Sequence, residues 1–287
     1  MALTGDEARA RLLAAIPATE RRLELASVST AVLDGGDGPP LVMLHGGGQF
    51  AATWIRVIPK LMTTHRVIAP DLPGHGASHV QDGRLNADRV LAWLDELMEQ
   101  SCPSPAALVG HTLGGAIAAR YAIGHGERIS LLVLVDALGL GPFRPLPGFA
   151  LALVGFLARP TEHTRDQFLS QCIVDLKSLH DQMGQDWESI ATYALEGAQT
   201  PDKRDAGRTL LKAFGVSAIA QAELARIRAP TALIWGRHDL QARLRIAEAT
   251  SARYGWPLRV IEDCGVNPNL EQPDAFLDAL LAELDGR

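Results

Sequence analysis

The chain has 287 residues, 27 Lys and Arg against 33 Asp and Glu, and a formal net charge of −6. That length can bury a full core, either as one large domain or as a core with an insert. A mildly acidic chain with dispersed charges presents no surface for nucleic acid or an anionic membrane, and three cysteines without metal-ligand or redox spacing (Cys102, Cys172, Cys264) read as reduced thiols of a cytoplasmic protein.

Met1 to Ile16 mixes Asp6, Glu7, Arg9 and Arg11 with alanines and is not a signal peptide. Arg22 to Asp34 reads as two β-rich segments turning at Gly35-Gly36-Asp37-Gly38. Leu41 to Leu44 is a short all-apolar strand of the kind found at the centre of a parallel sheet. A helix over Ala52 to Met62 and a strand over Arg66 to Pro70 follow. Leu85 to Glu99 is an amphipathic helix with Val90, Leu91, Leu94 and Leu97 on one face. Strand Ala107 to Val109, helix Leu113 to His125 and strand Leu131 to Val135 complete the first half.

From Gly139 to Gly215 the rhythm breaks into helical patterns interrupted by Pro142, Pro145, Pro147, Pro160 and Pro201. Within this stretch Phe149 to Ala158 is apolar over ten residues. That is half of the roughly 20 a membrane span needs, so it reads as a buried or lid helix. Alternation resumes with strand Thr231 to Trp235, helix Ala242 to Tyr254, strand Leu258 to Ile261 and helix Pro273 to Leu284. The expectation is a doubly wound, mostly parallel α/β sheet: a core of residues 1–138 and 216–287, and a helical cap of residues 139–215 over the sheet's carboxyl edge.

The most informative stretch is Leu108 to Gly115, where an apolar strand runs into Gly110-x-Thr112-x-Gly114 and then into a small-residue helix. This is the layout of a nucleophile elbow, with glycines permitting a turn sharp enough to lift one side-chain oxygen above the sheet. That oxygen belongs to Thr112, where the pattern asks for serine.

Five blocks together resemble the capped α/β-hydrolase superfamily. They are Leu44-His-Gly-Gly-Gly48, Asp71-Leu-Pro-Gly-His-Gly-Ala-Ser78, the elbow, Trp235-Gly-Arg-His-Asp239, and Asp263-Cys-Gly-Val-Asn-Pro-Asn-Leu-Glu-Gln-Pro273. The resemblance implies catalytic positions at Thr112 and Asp239, an oxyanion hole from the backbone N–H groups of Gly47 and Leu113, and a histidine on the last loop, where this chain has Val266. Valine neither takes a proton from a nucleophile nor returns one to a leaving group. His45, Gly46, His111 and Trp187 are expected around the pocket, and His163 and His180 of the insert are candidates to replace the base. Arg144, Arg159, Arg165 and Lys177 are candidates to anchor a carboxylate, and Phe143, Phe149, Leu151, Leu153, Phe156, Phe168, Trp187 and Tyr193 to line an apolar cavity. No metal site or cofactor fingerprint is present.

Three functions remain open. One is an enzyme on a small, largely apolar carbonyl compound that uses histidine-free acid/base or oxyanion-hole chemistry of lyase, cyclase or isomerase type. The second is a ligand-binding protein without turnover. The third is a serine hydrolase knocked out at Thr112 and Val266. The expected partner is a small molecule, with neither nucleic acid nor membrane involved, and the chain is a monomer or homodimer.

Overall fold

A computed structural model describes residues 3–82 and 84–286. Its elements in chain order are α1 (Gly5–Ala15), β1 (Thr19–Leu25), β2 (Val28–Gly35), β3 (Pro40–Leu44), α2 (Ile58–Leu61), β4 (Arg66–Pro70), β5 (His79–Val80), α3 (Ala87–Ser101), β6 (Ala106–His111), α4 (Leu113–Gly124) and β7 (Ile129–Val135). The insert carries α5 (Pro147–Ala158), α6 (Glu162–Leu169), α7 (Leu176–Met183), α8 (Gln185–Gln199) and α9 (Pro201–Leu210). The chain closes with α10 (Gln221–Leu224), β8 (Thr231–Gly236), α11 (Leu244–Tyr254), β9 (Leu258–Ile261), α12 (Pro268–Glu271) and α13 (Pro273–Asp285).

The strands form one sheet in the order β1-β2-β4-β3-β6-β7-β8-β9, with β5 also pairing β2. β3, β4, β6, β7, β8 and β9 run parallel, and β1, β2 and β5 add antiparallel pairings at one side. The central strands are apolar throughout because both faces are covered. Alternate side chains enter opposite layers: Leu41, Met43, Val109 and Val133 join one buried cluster, and Val42, Leu44, Leu108 and Leu132 the other.

Two local expectations change. The first hairpin turns at Ala26 and Ser27, both at positive φ, and not at Gly35 to Gly38. Left-handed backbone at both central positions matches strand twist in a two-residue turn, and here non-glycine residues adopt it. The helix expected over Ala52 to Met62 is instead a 3₁₀ turn at Ala51–Trp54 followed by the short α2, whose N-terminal proline, Pro59, has no N–H to continue a helix. In addition, α1 packs against α8 of the insert. Thr4 caps α1 reciprocally with Glu7, and the Gly5 N–H donates to Glu196 Oε2 at 2.8 Å.

Candidate active site

Thr112 sits between β6 and α4 at φ 45°, ψ −105°, a conformation that is costly for a β-branched residue. The surroundings hold it there. Its N–H donates to Val135 O at 2.9 Å, and its carbonyl accepts from Ala116 N and Leu138 N, both at 3.1 Å. The sharp turn requires the flanking glycines. A Cβ on Gly110 would meet Gly114 O at 2.6 Å, and one on Gly114 would meet Leu44 O at 2.5 Å. Thr112 Oγ1 lies against Gly46 and makes no hydrogen bond among the described residues.

The glycine loop after β3 is tied down from behind. His45 is fully buried; its Nε2 accepts from Leu72 N at 2.9 Å, leaving Nδ1–H to donate to Gly46 O at 2.8 Å. Gly46 N donates to Gln49 Oε1 at 2.9 Å, and Gln49 Nε2 donates to Asn267 Oδ1 at 2.7 Å. Among the described residues no acceptor takes the N–H of Gly47 or Leu113, and both residues line the same cavity as Thr112.

That cavity, about 260 Å³, lies between the sheet's carboxyl edge and the cap. Thr112, Gly47, Leu113, Val266 and Trp187 are on its wall, whereas His45, Gly46, His111 and Asp239 stand behind it. Six of the eight apolar cap candidates line it: Phe143, Leu153, Phe156, Phe168, Trp187 and Tyr193. Phe149 is packed inside the cap and Leu151 points outward, 76% exposed. Of the four cations considered as carboxylate anchors, Arg165 alone is on the wall, joined there by Lys203, Arg204 and Arg208 of α9. The sequence reading missed these three because a basic α9 resembles any solvated helix. No Asp or Glu lines the cavity among the described residues.

Neither cap histidine lines the cavity. His180 is half-buried and ion-paired with Glu188 at 2.8 Å, while His163 is exposed on α6. His111 is committed as well, since its Nε2–H donates to Val266 O at 2.6 Å and its Nδ1 lies 3.1 Å from Gln49 Oε1. Burial pulls its pKa down to about 4.

Asp239 Oδ1 accepts from Gln241 N at 2.6 Å and Ala242 N at 2.9 Å, and its Oδ2 is buried without a partner. Beside it stands Asp136, at φ 43° just after β7, whose Oδ1 accepts from Gly236 N at 2.9 Å and whose Oδ2 is likewise orphaned. Burial, and then the neighbouring Asp239 charge, pushes Asp136 well above the usual carboxylate range; burial holds Asp239 up at about 6. Two buried carboxyls side by side cannot both ionise cheaply, so one proton is retained between them. Asp136 was missed by sequence reading, although an acid directly after Val133-Leu134-Val135 is at the carboxyl end of a parallel strand, where such folds place site residues. A third buried acid, Glu271, accepts from Val174 N at 2.9 Å, Gly265 N at 3.0 Å and Asn267 N at 3.0 Å, joining the cap to the last loop. Its role is to hold backbone.

A nucleophile elbow beneath a cap, on a mostly parallel sheet, defines an α/β-hydrolase. The sequence pattern of the alpha/beta hydrolase family matches residues 41–279, and the chain belongs to that family. It is similar, at 31% identity over 268 residues, to a 2-hydroxy-6-oxo-6-phenylhexa-2,4-dienoate hydrolase of Burkholderia cepacia, covering 85% of this chain and 86% of that protein. It is 33% identical over 212 residues to a pimeloyl-(acyl-carrier protein) methyl ester esterase of Chromobacterium violaceum, covering 71% of this chain and 77% of the esterase. Among solved structures, a 2-hydroxy-6-oxo-6-phenylhexa-2,4-dienoate hydrolase from a Rhodococcus species superposes with a TM-score of 0.82 at 23% identity, over 94% of this chain and 99% of the other. These relatives are a dienoate hydrolase and a methyl ester esterase. No helix among the described residues is long and apolar enough to cross a membrane.

Proposed function

We propose that this α/β-hydrolase-family protein is an enzyme that polarises the carbonyl of a small, largely apolar compound in its oxyanion hole, so that a solvent water takes an α-proton from the substrate and returns one to the resulting enolate, without forming an acyl-enzyme. The observation that carries this reading is the pair of unpartnered N–H groups at Gly47 and Leu113, on the same wall as Thr112, in a cavity where Val266 takes the place of a base. Fixed backbone donors facing an apolar cavity stabilise developing negative charge on oxygen, and they survive side-chain substitution. Among the described residues Thr112 Oγ1 makes no hydrogen bond, and His111 is taken up by Val266 O and Gln49, so Thr112 lacks the activation that nucleophilic attack needs. Asp239, a catalytic position by the resemblance, is not on the cavity wall and is not part of this reading. The four cations on the wall favour a substrate with an anionic end, in keeping with relatives named for dienoates.

The test uses benzylacetone, an apolar ketone, in heavy water. The protein should accelerate exchange of its α-hydrogens, and Gly46→Ala, whose methyl would strike Thr112 Oγ1, should lose most of that acceleration. Intact mass after exposure to p-nitrophenyl butyrate should show no acyl group on Thr112. Exchange no faster than in buffer, or an accumulating acyl-enzyme, refutes the reading. A second reading, ligand binding without turnover, is favoured by the absence of any carboxylate on the cavity wall among the described residues. It predicts a tightly bound small molecule recovered unchanged.

A further inference from the structure

Among the described residues, His75 is the one histidine that lines the cavity, and the elbow, oxyanion loop and last loop make no use of it. Its turn is rigid: His75 N–H donates to Leu72 O at 2.8 Å, and Ser78 N–H donates to His75 O at 2.9 Å. The partners also fix the ring's hydrogen. Nδ1 lies 3.2 Å from Pro73 O, and a carbonyl only accepts, so Nδ1 carries the hydrogen. The ring is 5% exposed, with His45 at 5.6 Å between ring centres and the Lys203 ammonium nearby. Burial is the larger influence and the lysine the smaller in pulling its pKa to about 4, against the Pro73 hydrogen bond. At neutral pH the ring is therefore uncharged and Nε2 is bare.

No donor among the described residues reaches Nε2, and yet it is not one of the sealed, orphaned atoms of the interior. It looks toward Gly207, which shares the cavity wall and has no side chain to cover it; even an added Cβ there would stand 3.8 Å away. The charged groups of the wall (Arg165, Lys203, Arg204, Arg208) are all donors and suit ligand lone pairs. Nε2 is an acceptor, and only a ligand hydrogen satisfies it.

We infer that His75 is a ligand-contacting residue whose Nε2 accepts a hydrogen bond from a hydroxyl group on the ligand, so that the cavity selects hydroxylated members of the apolar carbonyl class. This deepens the proposed function, resting on it for the carbonyl alone. The discrimination follows from the cost of leaving a desolvated acceptor unpaired when a ligand without the hydroxyl fills the same space.

The probes are para-hydroxybenzylacetone and para-methoxybenzylacetone, compared by calorimetry. The wild-type protein should bind the phenol about three- to tenfold more tightly. His75→Phe should weaken the phenol to the level of the ether while leaving the ether unchanged, and His75→Gln, which offers an amide oxygen, should restore part of the preference. Nitrogen-15 NMR of the wild-type protein provides a readout independent of any variant's folding. Nε2 should resonate as an unprotonated ring nitrogen at neutral pH and shift when the phenol binds. A protonated Nε2 in the free protein, equal affinities, or a preference that survives His75→Phe overturns the inference. Because binding is read without turnover, a protein that prefers the phenol yet exchanges no α-hydrogens refutes the proposed function and keeps this one.

Discussion

The two walls of the cavity are built by different rules. The core wall is made of strand ends and tight turns, where backbone approaches backbone so closely that side chains are excluded, and its unpartnered polar groups are gathered at Thr112 and the N–H groups of Gly47 and Leu113. The cap wall is made of helices that commit only part of their surface. α5 fully buries Phe149 alone and leaves Leu151 and Val154 76% and 62% exposed, and α6 buries no residue fully. The core wall is set by close backbone contacts, while the cap wall contributes the apolar side chains and cations that face the cavity.

Glycine substitutions test that contrast most directly. Gly114→Ala, which drives a methyl into Leu44 O and His45 O, should cost about 3 kcal/mol in chemical denaturation, because neither backbone can yield without moving the sheet. A loss under 1 kcal/mol would show the elbow to be softer than described.

The carboxyl pair of the core is next in size. Burial raises both acids, so above about pH 4 the native pair holds protons that the unfolded chain has released, that of Asp239 up to about pH 6 and that of Asp136 beyond it. The pair's contribution is complete below about pH 4, falls as pH rises through 6, and goes on falling until Asp136 ionises. Asp136→Asn keeps the acceptor for Gly236 N and places an amide donor beside Asp239 Oδ2. Relative to wild type it should gain about 1–3 kcal/mol on going from pH 4 to pH 8. A difference that does not vary with pH would mean that no proton is shared.

The smallest effect belongs to the cap and has the opposite sign to Gly114→Ala. A Cβ on Gly155 of α5 meets nothing within 4 Å, so Gly155→Ala should stabilise the protein by about 0.5–1 kcal/mol through helix propensity. Destabilisation there would mean that α5 is packed more tightly than its exposed face implies.

The same division explains what was legible beforehand. The parallel strands announced themselves as short apolar runs, since burial on both faces leaves no alternation to misread, and the loops after β3, β6 and β8 followed from their position at strand ends. The elbow at Thr112 could be read because glycine spacing is a local requirement. Asp136 was not, because one acid after a strand carries no spacing signal, and its significance comes from Asp239 about a hundred residues away. The cap was harder still. Arg144 and Lys203 look alike in sequence, and only the folding of α9 back over the cavity decides which of them faces a ligand. The hairpin at Ala26-Ser27 was hidden because glycines nearby offered an easier turn.

The union of α1 with α8 has a kinetic consequence. A Cβ at Gly5 would strike the Glu196 carboxylate, so the two helices meet without slack, and the N-terminal helix clasps the cap from outside. A cap pinned in this way cannot swing open as a rigid lid without first breaking that clasp. The segment with least to lose by moving is α5 with α6, and ligand traffic through that flank would make the apolar outer stretch around Leu151 the threshold of the cavity, not ornament on its roof.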